Sequence, residues 1–318
     1  MLATLVVGCR GGTQRVESQQ PGRLTTAQLL RTCPTPPVRP TPWRAEPSDE
    51  EDDEVSLDFL SERSRRTLEV LDLGRAMARL VLARERYERE GDSAVMALVR
   101  ARQTLTARLD LIDLEISTVA AEADCHEELA GSLVSGLRDR KEARIRAFTV
   151  AAISVGAVFG ITSGALGVAD LERASAAVAI AGGVAETGLG LGILFTRGSE
   201  VYLPIERNLL HEIWHAPDEA RLIPPSVWGL LQTPRGERRP SPREELVNRW
   251  QQSGRLGRPG TTRERERVTL LFSQSGGMYD IDALDLRMEL LDQLEAELNL
   301  LSADLHELLR EILTFDPR

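Results

Sequence analysis

The sequence predicts an all-α protein, a long antiparallel coiled-coil bundle that carries a glycine-rich hydrophobic helical hairpin. Two observations predict this fold class: apolar residues recur at heptad spacing along two long stretches, and a pair of apolar runs almost without charge lies between them. Aromatic residues make up only 4% of the chain, which disfavours β-rich folds, where aromatic side chains are enriched.

Composition limits the classes of partner. The chain has 318 residues, enough for one large or two modest domains, and a formal net charge of −10. Nucleic-acid binding needs clustered lysine and arginine to neutralise phosphates, so we expect no nucleic-acid partner for a chain this acidic. No cofactor is predicted.

The N-terminus contains a short motif, Val6-Val7-Gly8-Cys9, directly behind an apolar run. This motif resembles the lipobox of bacterial lipoproteins. The resemblance implies that residues 1–9 are the remnant of a signal, that Cys9 carries a lipid, and that the protein is anchored in the cell envelope, at the outer membrane or in the periplasm. No lysine or arginine precedes Cys9, whereas a secretory signal begins with basic residues, so either the true start lies upstream of Met1 or the match is accidental.

Lipidation of Cys9 would leave two of the three cysteines. In an oxidising envelope compartment, Cys33 and Cys125 are then a natural disulfide pair. The alternative is two unrelated thiols, with Cys125 buried on a helix and Cys33 free in a loop.

Residues 10–55 are predicted to be a disordered tether. They are rich in proline and end in an acidic run, a composition that buries too little apolar surface to fold. Residues 56–146 are predicted to form coiled-coil helices. Ser56 is the expected N-cap of the first helix, which extends to Glu90 and is followed by a break at residues 91–93.

The heptad pattern is sharpest from residue 94 onward. One series recurs every seven residues: Leu98, Leu105, Ile112, Val119, His126 and Leu133. No proline interrupts residues 94–169, so one helix of about 75 residues, about 110 Å long, could run from the bundle into the apolar region. His126, the polar member of the series, is interpreted as a residue that sets the register or is partly exposed, and not as a ligand.

Residues 147–197 form the predicted hairpin. Residues 147–169 contain no charge and residues 174–196 contain only Glu186, and a helix needs about 20 such residues to cross a bilayer. Glycines at 156, 160 and 164 are spaced by four, so Gly156, Gly160 and Gly164 share one helix face that permits close packing in lipid. The basic residues between 138 and 146 can pair with lipid phosphates.

Glu186 is the unusual residue of the hairpin, because an intramembrane carboxylate usually marks a function or a buried partner. A glycine-rich helix followed by a helix with one central carboxylate resembles the rotor-ring subunit of ATP synthases over about 50 residues. Alternatively, Glu186 is protonated or hydrogen-bonded within a helix cluster, or the hairpin is buried in a soluble form. The basic residues 138–146 also favour an inner-membrane protein with a cytoplasmic bundle, under the positive-inside rule.

Residues 211–215 read His-Glu-x-x-His, the zinc motif of zincin metalloproteases. On a helix, His211 and His215 would bind the metal and Glu212 would act as general base. However, Ala216-Pro217 follows at once, whereas the helix continues in enzymes that this motif resembles, and no third ligand stands in helical register. A structural role at a helix end is therefore preferred, and a zinc hydrolase is the alternative.

The remainder divides into a mixed helix and loop module, residues 198–262, and a C-terminal coiled-coil helix, residues 263–318. Heptad leucines return from residue 280 and predict that this helix closes the bundle. The pattern leaves residues 268–272 undecided between a strand and the start of a helix.

The layout of two long helical stretches around a hydrophobic hairpin resembles that of α-helical pore-forming toxins, over about 250 residues. This resemblance of architecture implies a non-enzymatic envelope lipoprotein whose hairpin inserts in or bridges a membrane. Membrane lipid and other copies of the chain, through the coiled coil or the glycine face, are the expected partners. A static coiled-coil scaffold and a zinc metalloprotease are the alternatives.

Overall fold

The computed structural model of the protein describes Cys33 and residues 55–168, 200–236 and 239–315. Over these ranges the regular secondary structure is helical apart from one short two-stranded ribbon, which confirms the all-α prediction. In chain order the elements are α1 (Glu62–Val70), α2 (Gly74–Glu90), a 3-10 turn (Gly91–Ala94), α3 (Val95–Val168), β1 (Val201–Leu203), α4 (Leu209–His215), α5 (Pro225–Gln232), α6 (Pro242–Gln252), α7 (Thr262–Leu271), β2 (Gly277–Tyr279) and α8 (Ile281–Phe315).

The first helical stretch differs from the expectation in its start and in its continuity. The N-cap is Ser61, whose side chain accepts a hydrogen bond from the backbone N–H of Ser64, and not Ser56. A break that the sequence did not predict separates α1 from α2. There Asp72 adopts a φ of 51°, in the left-handed region that ends a helix.

The two long helices α3 and α8 form the main packing interface. They run antiparallel, since Asp113 near the start of α3 bonds to Ser302 late in α8, and Arg138 further along α3 bonds to Asp285 early in α8. The heptad positions of both helices are largely buried against this interface: Leu98, Leu105, Leu109, Ile112, Ile116, Val119, Leu284, Leu291, Leu298, Leu305 and Ile312. The single continuous helix expected over residues 94–169 is present as α3.

The shorter elements pack along this pair: α1, α6, α7 and β2 contact α8, and α2 and α5 contact α3. β1 and β2 are antiparallel, with Val201 opposite Tyr279 and Leu203 opposite Gly277. Residues 268–271, which the sequence left undecided, belong to helix α7, and a turn separates α7 from β2. Helix α6 begins with a capping box in which Ser241 and Glu244 satisfy each other's backbone N–H groups.

Candidate functional site

Helix α3 is longer than the bundle in which it packs. Beyond Leu137 no residue whose burial the structure describes is buried until the helix ends, and residues 138–168, called the arm here, continue for about 46 Å at 1.5 Å per residue. Large apolar side chains of the arm are open to solvent: Ile153 is 67% exposed, Val158 is 62% exposed and Ile161 is 74% exposed. Among the residues with described positions, no helix is both long enough and apolar enough to cross a membrane.

The chain returns to the end of the bundle from which the arm leaves. At the start of the arm, Arg138 Nη2 donates to Asp285 Oδ2 at 3.0 Å. Where the chain is next described, Val201 pairs with Tyr279 in the ribbon. Tyr279 and Asp285 flank the start of α8, so the chain departs and re-enters beside the same short segment.

This end of the bundle, called the base of the arm, is rich in positive charge. Residues 138–146 include five basic and two acidic side chains, and all of them are exposed. Beside Arg138 lies a cavity of about 580 Å³, whose lining includes Asp285 and four arginines: Arg255, Arg258, Arg263 and Arg267. The heptad and motif patterns of the sequence did not predict this cavity. The signal in the sequence is the series of arginines among glycines over residues 254–267.

The predicted glycine face lies on the arm. Helix α3 continues through Gly156, Gly160 and Gly164, so their spacing by four places them on one side of a helix. The proposed packing partner of that side lies outside the described residues. The predictions for Cys9 and Glu186 also concern residues outside the ranges that the structure describes.

Glu212 of the His-Glu-x-x-His motif is buried and has a structural role. Its Oε1 accepts hydrogen bonds from the backbone N–H groups of Arg221 at 2.6 Å and Leu222 at 2.9 Å. Its Oε2 accepts one from Ile223 at 3.2 Å. A carboxylate that receives three backbone N–H groups holds a loop in place.

The two histidines of the motif are engaged in other contacts. His211 Nδ1 lies 2.6 Å from the carbonyl oxygen of Phe272, and His211 Nε2 lies 2.9 Å from Nε2 of Gln274. Because a carbonyl only accepts, Nδ1 carries the proton and Nε2 accepts from the Gln274 amide. Burial and the adjacent His211 lower the pKa of His215. Over the described ranges, no group of three His, Cys, Asp or Glu side chains could hold a metal ion.

An ion pair between the fully buried Glu122 and the partly exposed Arg207 attaches the same loop to the middle of α3. Arg207 Nε and Nη2 donate to the two carboxylate oxygens of Glu122 at 2.7 and 3.1 Å, and Nη2 also donates to the carbonyl of Leu222 at 3.1 Å. Burial raises the pKa of the fully buried Glu122, and the hydrogen bond from Arg207 offsets part of this rise. Leu222 is thus held through its N–H by Glu212 and through its carbonyl by Arg207.

Arg287 extends this polar region to α8. It is buried, and its Nη1 lies 3.3 Å from Oδ1 of Asn208. Asn208 in turn donates through Nδ2 to the carbonyls of Leu271 at 2.9 Å and Ser273 at 2.7 Å. These contacts hold the turn after α7 against the start of α4.

His126, in the α3 heptad series, is buried and not partly exposed. Burial lowers its pKa to about 4, and the positive charges of Arg287 and Arg207 act in the same direction. Glu122 Oε1 lies 3.9 Å from His126 Nε2, but its carboxylate is already bonded to Arg207. The imidazole is therefore neutral in the folded protein at neutral pH.

We expect the bundle to lose stability as the pH falls from about 6.5 to 4, with about 3 kcal/mol of the loss due to His126. In this window the unfolded chain protonates its imidazole while the folded protein does not, so protons favour the unfolded state. Urea unfolding of the parent and of a His126→Gln variant over this pH range measures the effect. Parallel pH profiles for the two proteins would contradict it.

Cys33 and Cys125, the two cysteines considered above as a pair, are joined by a disulfide. The bond connects positions 92 residues apart and attaches Cys33 to the middle of α3. Disulfides persist in oxidising compartments and are rare where thiols are kept reduced.

No protein family, curated protein or solved structure matches this chain.

Proposed function

We propose that the protein is a non-enzymatic, membrane-associated helical bundle of the bacterial cell envelope, whose hairpin inserts in or bridges a membrane. The observation that carries the proposal is the arm. Its exposed apolar side chains include Val150, Ile153, Val158 and Ile161, each more than 60% exposed on a helix that continues past the bundle. Contiguous apolar surface of this kind marks a membrane or protein contact.

The positions of Val168, where the arm ends, and Val201, where β1 begins, support a hairpin. Residues 169–200 separate the tip of the arm from β1, and 32 residues in a helix would cover about 48 Å. The arm itself covers about 46 Å, so a second helix has the length needed to bring the chain back to the base. The proposed second helix includes Glu186, which would face the first helix or another copy in a low-dielectric environment.

The disulfide supports an envelope location over a cytoplasmic one. An inner-membrane protein with its bundle in the cytoplasm, as the positive-inside rule favours, would place the Cys33–Cys125 bond where thiols are kept reduced. An outer-membrane or periplasmic lipoprotein avoids this conflict, because the positive-inside rule governs insertion at the inner membrane. Lipidation of Cys9 belongs to the same proposal and provides a second attachment.

Self-association is the further part of this proposal. The bare face formed by Gly156, Gly160 and Gly164 allows close approach of a second helix, from the same hairpin or from another copy. A static scaffold would use the same arm as an anchor only. Release of a dye trapped in vesicles distinguishes the two, since an anchor binds without opening a pore.

The arm is tested by placing a charge on it. In a Cys9→Ser background, which removes any lipid anchor, we expect Ile153→Asp to weaken binding to phosphatidylcholine vesicles by about 100-fold, because an aspartate inside the bilayer costs about 3 kcal/mol. The matched control is Leu114→Asp, since Leu114 is 62% exposed on the same helix within the bundle. Vesicle sedimentation measures binding, and circular dichroism checks the fold. Equal binding of the two variants, or no binding by the parent, would refute the proposal.

A further inference from the structure

We infer that the arginine cavity at the base of the arm binds the phosphate of an anionic lipid headgroup. This inference rests on the proposed function, because the arm must hold the bundle at a membrane surface. Insertion of the arm alone needs no particular headgroup. The cavity adds a site at which guanidinium groups of the bundle recognise phosphate.

The loop before α7 gathers the arginines. Gly254, Gly257 and Gly260 have φ values of 69°, 119° and 81°, which residues other than glycine rarely adopt. A Cβ at Gly257 would lie 3.1 Å from the backbone nitrogen of Glu264. The loop therefore folds closely against the first turn of α7, and this arrangement places Arg258 and Arg263 around one cavity.

Two of the four arginines are already engaged. Arg255 Nη1 lies 3.0 Å from Oε2 of Glu289, and Arg267 donates to the backbone carbonyl of Arg255. By contrast, the side chains of Arg258 and Arg263 form no hydrogen bond or ion pair with any residue that the structure describes.

The acidic groups at the cavity do not cancel its positive charge. Of the two carboxylates in the lining, Asp285 is bonded to Arg138, which leaves only Asp282 to offset the charge of Arg258 and Arg263. The Glu264 carboxylate accepts a hydrogen bond from the N–H of Gly260 at 2.5 Å, at the first turn of α7. An anionic ligand would therefore bind to the guanidinium groups and not to the N-terminus of α7. A planar guanidinium binds phosphate oxygens through two parallel hydrogen bonds, and two such groups can bind one phosphate from two sides.

The position of the cavity favours a lipid as the source of the phosphate. Arg138, bonded to the cavity residue Asp285, is nine residues before the uncharged part of the arm begins, about 13 Å along the helix. The same end displays the paired side chains of Tyr202 and Met278, both more than half exposed on one face of the ribbon. Tyrosine is enriched at membrane interfaces, and basic residues beside an apolar helix bind anionic headgroups.

The test uses the full chain in the Cys9→Ser background. Vesicles of phosphatidylcholine alone and of phosphatidylcholine with phosphatidic acid are compared by sedimentation. We expect phosphatidic acid to strengthen binding of the parent, and the double variant Arg258→Gln/Arg263→Gln to lose about 30-fold of that gain, the factor for about 1 kcal/mol per arginine. The control is Arg89→Gln/Arg100→Gln, which removes two positive charges near the start of α3, at the end of the bundle away from the cavity. Arg100 lies about 57 Å along the helix from Arg138, well beyond the screening length of about 10 Å.

The outcomes separate this inference from the proposed function. If both double variants respond equally to phosphatidic acid, the cavity is not a headgroup site, whereas binding to phosphatidylcholine still reports on the arm. If inorganic phosphate, titrated by calorimetry, binds the parent as tightly as the vesicles do and is lost in Arg258→Gln/Arg263→Gln, the cavity is a site for free phosphate and the lipid assignment is overturned. If the parent does not bind vesicles of phosphatidylcholine alone, the arm proposal fails. The increase in binding caused by phosphatidic acid, compared between the parent and the two double variants, then tests the cavity by itself.

Discussion

Replacing Glu122 with alanine is expected to lower the free energy of unfolding by about 3–5 kcal/mol. Glu122 is fully buried and both its oxygens accept from Arg207, so its removal leaves the guanidinium, on a side chain that is 20% exposed, without the carboxylate to which it is bonded. The loop at Leu222, which Arg207 also holds, would lose part of its attachment. Urea unfolding at neutral pH measures the change.

Two controls define what the Glu122 measurement reports. Glu88→Ala removes the exposed partner of Arg84 and should cost less than about 1 kcal/mol. The double variant Glu122→Leu/Arg207→Met should be more stable than Glu122→Ala alone, because replacing a buried ion pair by apolar side chains removes the cost of burying charge. A Glu122→Ala protein as stable as the parent would show that the pair is not buried in solution.

Replacing Glu212 with glutamine is expected to cost about 2–4 kcal/mol, although the change is nearly isosteric. The Glu212 carboxylate accepts from three successive backbone N–H groups, those of Arg221, Leu222 and Ile223. A glutamine offers one acceptor oxygen and directs an NH₂ donor at an N–H donor, so at least one buried group loses its partner. Urea unfolding measures the loss of stability. Glu219→Gln, at an exposed position in the loop after α4, is the control.

The same Glu212→Gln variant separates a structural role from a catalytic one. Vesicle binding should be unchanged where the variant is still folded, because Glu212 does not contact the arm. Stoichiometric zinc in the parent that is lost in a His211→Ala variant would instead restore the metalloprotease hypothesis, in which His211 and His215 bind the metal.

The parts of the fold that depend on local periodicity could be predicted from the sequence. Helix α3 follows from heptad apolar residues and from the absence of proline, and α8 follows from its leucine repeat. The end of α4 at His215 follows in the same way, since Ala216-Pro217 cannot continue a helix and Ala216 adopts a φ of 48°. These features depend on residues that are neighbours in the sequence, so they can be predicted without knowledge of the tertiary contacts.

The tertiary structure alone decided the roles of the polar residues. Glu122 and Arg207 are 85 positions apart, and Asn208 and Arg287 are 79 positions apart, so no spacing rule could pair them. The His-Glu-x-x-His motif has the local pattern of a zinc site, yet the loop that folds over Glu212 makes its carboxylate a backbone acceptor. The arginine cavity likewise exists because the loop before α7 meets the start of α8 beside Arg138. A side chain's chemistry depends on its burial and its partners, and both are determined by contacts between segments that are distant in the chain.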